Sequence, residues 1–311
     1  MKIGILIMLL TSLLLIACTN IPYETSVEPQ VYFCPRDNCS SILHQLINQS
    51  TTSIHCALYD LNLKPLLTIL QKKAEHIDVQ ILLESSKLNP QDNFIKYDYD
   101  KQQMHNKFCI FDNQIILTGS FNPTTNGNTK NNNNIIIIKS TTLSKNYETE
   151  FQELCNNKKS KTPYPTIFLN NQKIETYFCP EDNCKDKVLQ TLNNANKSIH
   201  FMLFYLTDKD ITNTLINKHK QELNIKGVME KKNINKWSTF NILKESGINI
   251  IKDKNKANLH HKVFIIDNKT VITGSYNPTT NGNKVNDENI LIIHNKNIAE
   301  RFLEEFNYLY S

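Results

Sequence analysis

His105 and Lys107, and again His260 and Lys262, stand two residues apart inside a pattern, H-x-K-x4-D-x6-G-S, that the chain contains twice. An imidazole serves as nucleophile, base or acid according to its protonation, and an ammonium offers fixed positive charge. The continuation x-N-P-T-T-N-G-N adds the hydroxyls of Ser120 and Ser275 and the amides of Asn122 and Asn277. Such a set makes a poor hydrophobic core but a good seat for a phosphate, with charge from Lys and hydrogen bonds from Ser and Asn. The copies, 105–128 and 260–283, agree at 15 of 24 positions, and four of the seven glycines in the chain fall inside them. A chain so poor in glycine keeps it where the backbone needs positive φ or close approach to a ligand.

The elements that must carry these groups can be read from the flanks. Phe108-Cys109-Ile110-Phe111 and Val263-Phe264-Ile265-Ile266 are apolar, β-branched and aromatic, which predicts strands. On a strand residues i and i+2 share a face, so each His points the same way as its Lys. Asp112-Asn113 and Asp267-Asn268 signal a turn, and a second apolar stretch leads to Gly-Ser, completing a hairpin. Before it, each copy predicts a strand (31–33; 176–178), a helix (40–49; 185–195), a strand (53–59; 198–205), a helix (62–74; 208–221) and a strand (77–84; 224–230). After it come a buried strand around Ile135–Ile138 or Ile290–Ile293 and a closing amphipathic helix (145–155; 297–310). Alternating strands and helices imply an α/β fold with helices covering the sheets.

The doubled H-x-K-x4-D-x6-G-S-x-N resembles the motif pair of the phospholipase D superfamily. The likeness extends through the approach to each motif. Tyr32-Phe33-Cys34-Pro35-Arg36-Asp37-Asn38-Cys39 is echoed by Tyr177-Phe178-Cys179-Pro180-Glu181-Asp182-Asn183-Cys184. Ser53-Ile54-His55 with Leu58-Tyr59 is echoed by Ser198-Ile199-His200 with Phe204-Tyr205. The resemblance implies two repeats, 31–157 and 175–311, joined by a linker 158–174, each a mixed β-sheet flanked by helices. It also implies a pseudo-twofold relation with one shared active site, for which a monomer suffices. The expected chemistry is that of a phosphodiesterase without metal or other cofactor: one His attacks phosphorus, giving a phosphohistidine, while the other protonates the leaving oxygen and then activates water. Lys107, Lys262, Asn122 and Asn277 would hold the non-bridging oxygens. Asp112 and Asp267 are expected to be structural, beside the site. Glu288 matches the family pattern, whereas its counterpart in the first repeat is Asn133. If each partner served its own repeat, His260 would be the better acid and His105 the better neutral nucleophile.

Residues 1–17 read as a secretory signal, one Lys followed by a short apolar run. Leu15-Ile16-Ala17-Cys18 resembles a bacterial lipobox, making Cys18 the expected lipidated residue of an exported, envelope-bound protein with a tether over 18–30. An uncleaved anchor is the alternative. Removing residues 1–17 takes Lys2 and lowers the formal charge from +5 to +4, which suits an anionic substrate without separating phospholipid from nucleic acid. The C-x4-C pairs, Cys34 with Cys39 and Cys179 with Cys184, are expected disulfides in an oxidising compartment. Zinc fits less well, since C-x2-C spacing is missing. Cys56, Cys109 and Cys155 read as buried thiols, and the run Asn131 to Asn134 as compositional bias.

The second repeat carries ten extra residues before His260, with Trp237–Gly247 as an added helix and Lys252, Lys254 and Lys256 either flanking the cleft or forming a solvated loop. The leading expectation is hydrolysis of phospholipid by a membrane-tethered enzyme. An endonuclease is the alternative enzyme, and an inactive surface lipoprotein that binds anionic ligands is the alternative of another class.

Overall fold

A computed structural model of the chain describes residues 21–84, 93–99 and 102–311. The expected signal, residues 1–17, and Cys18 lie outside the described residues. The first repeat runs β1 (Tyr23–Glu24), β2 (Gln30–Cys34), α1 (Cys39–Gln49), β3 (Ser53–Leu58), α2 (Lys64–Ala74), β4 (Asp78–Glu84), β5 (Ile95–Asp98), β6 (Lys107–Phe111), β7 (Ile115–Gly119), α3 (Thr125–Thr129), β8 (Asn133–Lys139) and α4 (Thr141–Asn156). The second runs β9 (Thr166–Leu169), β10 (Gln172–Cys179), α5 (Cys184–Asn193), β11 (Ser198–Leu203), α6 (Lys209–Lys220), β12 (Asn224–Met229), a 3-10 turn, α7 (Phe240–Glu245), β13 (Asn249–Lys252), β14 (Lys262–Ile266), β15 (Thr270–Gly274), α8 (Thr280–Lys284), β16 (Glu288–His294) and α9 (Lys296–Tyr310).

The strands form two mixed sheets, ordered β2-β8-β7-β6-β3-β4-β5 and β1-β9-β10-β16-β15-β14-β11-β12-β13. In each, a parallel β-α-β unit (β3-α2-β4; β11-α6-β12) adjoins an antiparallel meander that holds the motif hairpin. α1 and α2 cover one outer face, and α5, α6 and α7 the other. Between the sheets lies a shared core to which both repeats contribute, with Phe108, Tyr147 and Phe151 meeting Phe178, Phe302 and Phe306. α4 and α9 are built for that layer. Ser140 caps α4 by accepting from Leu143 N at 3.0 Å, and Leu143, Tyr147 and Phe151 follow at four-residue spacing on its buried face. Asn295 caps α9 in the same way, ahead of Ile298, Phe302 and Phe306.

Three expectations need correction. The segments read as tether and linker are not free in their described parts: Tyr23–Glu24 pairs in parallel with Phe168–Leu169, extending the second sheet, and Glu24 accepts from Thr142 N at the start of α4. Composition hid these strands because each is short, two and four residues long. Cys56 and Cys109 are not thiols but a disulfide, since β3 and β6 are neighbours and the two residues are register partners. The added segment before His260 is helical only over Phe240–Glu245, and Trp237 stands exposed in the turn that precedes it.

Cys34–Cys39 and Cys179–Cys184 are disulfide-bonded, and Cys155 is the free cysteine among the described residues. Peptide mapping of unreduced protein is expected to return all three bonded pairs. On loop closure alone, the Cys56–Cys109 bond, spanning 53 residues, contributes about 4 kcal/mol, against about 2 kcal/mol for each five-residue loop. Reduction of Cys56–Cys109 should therefore cost about twice as much stability as reduction of either small loop. Free thiols there in protein isolated without reductant would contradict the pairing.

Candidate active site

Each motif hairpin turns on two residues in the left-handed region, Asp112-Asn113 and Asp267-Asn268, as a two-residue hairpin loop requires. The aspartates pin that turn. Asp112 accepts from the backbone N–H of Thr51, Thr52 and Ser53 at 2.7 to 3.1 Å, and Asp267 from Asn196, Lys197 and Ser198. These bonds outweigh desolvation and hold both carboxyls below their ordinary range. The structural role expected of the aspartates fits these bonds, but their place is at the far end of β6, whose five residues Lys107–Phe111 lie between Asp112 and His105, and not beside the histidine.

At the other end of the hairpins the two repeats interlock. The backbone N–H of His105 donates to Asp287 O at 2.9 Å, and that of His260 to Asn132 O at 2.8 Å. Each histidine is thereby held by the other repeat. The side chains cross as well: His105 Nδ1 lies 2.8 Å from Glu288 Oε2, while His260 Nδ1 lies 2.9 Å from Asn133 Oδ1 and 3.0 Å from Ser120 O. The premise that each partner serves its own histidine is therefore overturned. The partners are acceptors, so Nδ1 carries the proton in both rings and both Nε2 atoms are left for chemistry.

Lys107 Nζ donates to His105 O at 2.6 Å and Lys262 Nζ to His260 O at 2.8 Å, which leaves N–H groups on each ammonium for a ligand. All four side chains are buried. Burial pushes His105 down to about 4, against the pull of Glu288, and Lys107 down to about 7. His260 and Lys262 are lowered too, by burial first and then by the neighbouring cations, including those of the first repeat. Excess positive charge in a dry site is a binding energy held for an anion. Affinity for an inert oxyanion such as tungstate should accordingly weaken as pH rises through 7 and Lys107 loses its proton, by up to about tenfold per pH unit. Equal dissociation constants at pH 6 and pH 8 would exclude this.

Asn122 Oδ1 and Asn277 Oδ1 are buried without a hydrogen-bond partner among the described residues, so neither amide oxygen is spent on the scaffold. The serines, by contrast, hold the framework: Ser120 Oγ accepts from Asn134 N at 3.0 Å and reaches Asn133 Oδ1 at 3.2 Å, and Ser275 Oγ accepts from Asn289 N at 2.9 Å. Gly119 and Gly274, at φ 141° and 145°, let these strands close up, since a Cβ there would lie 2.3 Å and 2.2 Å from Asn134 O and Asn289 O.

Several residues around the site were given no role from the sequence. Asn289 Nδ2 donates to Asn106 Oδ1 at 2.8 Å and Thr118 Oγ1 to Asn289 Oδ1 at 3.0 Å; Asn134 reaches His261 Nδ1 and Thr273 Oγ1 in the mirrored arrangement. Behind them, Glu150 accepts from Asn106 at 2.9 Å, and Glu305 faces His261 and pairs with Arg36. Burial raises the Glu150 carboxyl well above its usual range. A signal existed: Asn134 and Asn289 both follow a motif serine by 14 positions. The aromatic walls are Tyr59, whose ring is 5.0 Å from that of His105, and Phe204, 4.7 Å from that of His260. Phe204, not Tyr205, is the counterpart of Tyr59. The lysines at 252, 254 and 256 are exposed, and Lys254 Nζ bonds the carbonyl of Ser311.

The chain is similar to known proteins over both repeats. A family profile described as cardiolipin synthase, PLD-like domain, matches residues 43–155 and again 188–310. Phospholipase D of Rickettsia conorii is 32% identical over 139 residues, which are 44% of this chain and 70% of that protein. The phospholipase D family member Nuc from Salmonella typhimurium is 31% identical, covering 45% of this chain and 94% of its own, with a TM-score of 0.44. Phosphatidylserine synthase from Haemophilus influenzae, 12% identical, superposes on 90% of this chain and 86% of its own with a TM-score of 0.69, a likeness of fold.

Proposed function

The chain belongs to the phospholipase D-like domain family, and from that premise we propose that it is a phosphodiesterase that hydrolyses phospholipid through a phosphohistidine on His105. The observation that carries the chemistry is the crossed pairing of two buried histidines, one on a carboxylate and one on an amide. When His105 Nε2 attacks phosphorus, the ring becomes cationic, and Glu288 stabilises that charge. A bound phosphodiester anion favours the protonated ring of His260, which, held by neutral acceptors, gains no carboxylate stabilisation and gives its Nε2 proton readily to the departing alkoxide. This reading assigns the same acid and nucleophile as the sequence did, but with Glu288 acting on the cation formed at the nucleophile instead of on the acid. The neutral His260 then takes a proton from water, which attacks phosphorus and breaks the P–N bond, releasing the phosphate monoester. Lys107, Lys262, Asn122 and Asn277 face the non-bridging oxygens throughout.

Phospholipid is favoured as substrate by the expected lipid anchor at Cys18, which would hold the cleft at a membrane, and by similarity to a protein named phospholipase D. Among the described residues no helix is long and apolar enough to cross a membrane. An endonuclease is the second reading, supported by the exposed Lys252 and Lys256 on the approach to His260. Purified protein offered phosphatidylcholine, cardiolipin, DNA and RNA in chelator decides among these. Release of phosphatidic acid or a free head group is expected, undiminished by EDTA. DNA cleavage without lipid turnover would establish the nuclease; activity that requires an added divalent ion would overturn the mechanism; binding without any turnover would leave an anionic-ligand receptor.

A further inference from the structure

The segment 230–239 is stapled to the residues that follow β11 and to those that lead into the second motif, on the His260 side. Asn233 Nδ2 donates to Phe204 O at 2.8 Å and Thr239 N to Leu206 O at 3.2 Å, so the loop brackets the residues that wall His260. Lys231 Nζ and Lys232 Nζ bond the carbonyls of Asn255 and Ala257, just before the motif, at 2.5 Å each. Held at both sides, the loop projects Trp237, which is 69% exposed and is the single tryptophan of the chain. Lys236 Nζ stands 4.9 Å from its ring. Ile242, 52% exposed, lies on the outer side of α7, whose Phe240 and Leu243 are buried. Leaving an indole and an aliphatic side chain in water on a segment that also exposes Lys236 and Lys244 costs solvation that a partner would recover.

We propose that this loop is a membrane-docking element that inserts Trp237 into the head-group layer of an anionic phospholipid bilayer and so presents the cleft to lipid. The inference rests on the phospholipid reading and specifies its surface. Indole settles at the head-group level, where its ring is apolar-solvated and its N–H finds a partner, while lysines around it extend to lipid phosphates. A single-stranded polynucleotide would instead call for successive stacking aromatics along a basic groove, whereas here one indole is accompanied by an aliphatic residue.

Because Trp237 is the only tryptophan, its emission reports this loop alone. In the full chain carrying Cys18→Ser, which removes the expected anchor, vesicles of phosphatidylglycerol and phosphatidylcholine should shift the emission to the blue, and brominated lipid should quench it. Lys236→Gln should weaken that response several-fold. Trp237→Ser should slow hydrolysis of vesicle phospholipid at least tenfold and leave a small soluble chromogenic phosphodiester within twofold. Emission unmoved by saturating anionic vesicles that are nonetheless hydrolysed overturns the docking loop and spares the lipid substrate. A response to oligonucleotide and not to vesicles overturns it in favour of nucleic acid. A blue shift on vesicles whose lipids are not cleaved supports the loop and refutes the substrate.

Discussion

Replacing His105 with Asn should reduce turnover of any phosphodiester by about 10⁴-fold or more and leave no acid-labile phosphoenzyme, because the atom that bonds phosphorus is gone. His260→Asn should be as damaging for substrates whose leaving alkoxide needs a proton. With an activated leaving group such as nitrophenolate, however, the first step no longer depends on the acid, and the phosphoenzyme should accumulate because water is left without a base. Both rings are buried and, among the described residues, hydrogen-bonded only through Nδ1, and Asn keeps much of that polar contact, so folding should survive in each variant. Quench-labelling with radioactive substrate, followed by peptide mapping, separates the outcomes. Label on residue 260 would invert the roles.

The crossed partners give a second large effect with a definite sign. Glu288→Gln removes the charge that favours a cationic His105, and turnover should fall on the order of a thousandfold. His105 must be neutral to attack, so kcat/KM is lost as pH falls through its pKa; losing Glu288 lowers that pKa and moves the acidic limb to lower pH. Asn133→Asp acts on the other ring. A carboxylate beside Nδ1 raises the pKa of His260, whose protonated form is needed, and the basic limb should move to higher pH. If Glu288→Gln moved the basic limb instead, the partner would belong to its own repeat, contrary to the 2.8 Å contact with His105.

The difference between these limbs also marks where the sequence stopped being informative. The doubled motif, the hairpins and the order of strands and helices within a repeat are local patterns, and local patterns are legible. What joins the repeats is not. Nothing in a linear repeat says that Asp287 and Glu288 sit against His105 while Asn132 and Asn133 sit against His260, because that register is set by packing of two distant surfaces. The asparagines show the cost most clearly. Read as bias, Asn131 to Asn134 include a backbone carbonyl for one histidine, an amide for its ring and a bridge to the other repeat. Cys56 and Cys109 misled for a similar reason: an apolar setting suits a thiol and a buried disulfide equally, and only strand order tells them apart.

The exchange of partners between the repeats bears on how such a chain can change over generations. Were the halves separate but identical polypeptides meeting on a true twofold axis, any substitution at the position of Asn133 would appear at that of Glu288 as well, and the two histidines would be obliged to share one character. Covalent union removes that obligation. Once residues 133 and 288 belong to one chain they can be inherited independently, and a carboxylate on one side with an amide on the other turns a symmetric pair into a dedicated nucleophile and a dedicated acid. The same union makes the halves hostages to each other: a lesion in the β16 lead-in of the second repeat disarms the histidine of the first, so neither copy is free to decay while the other is retained.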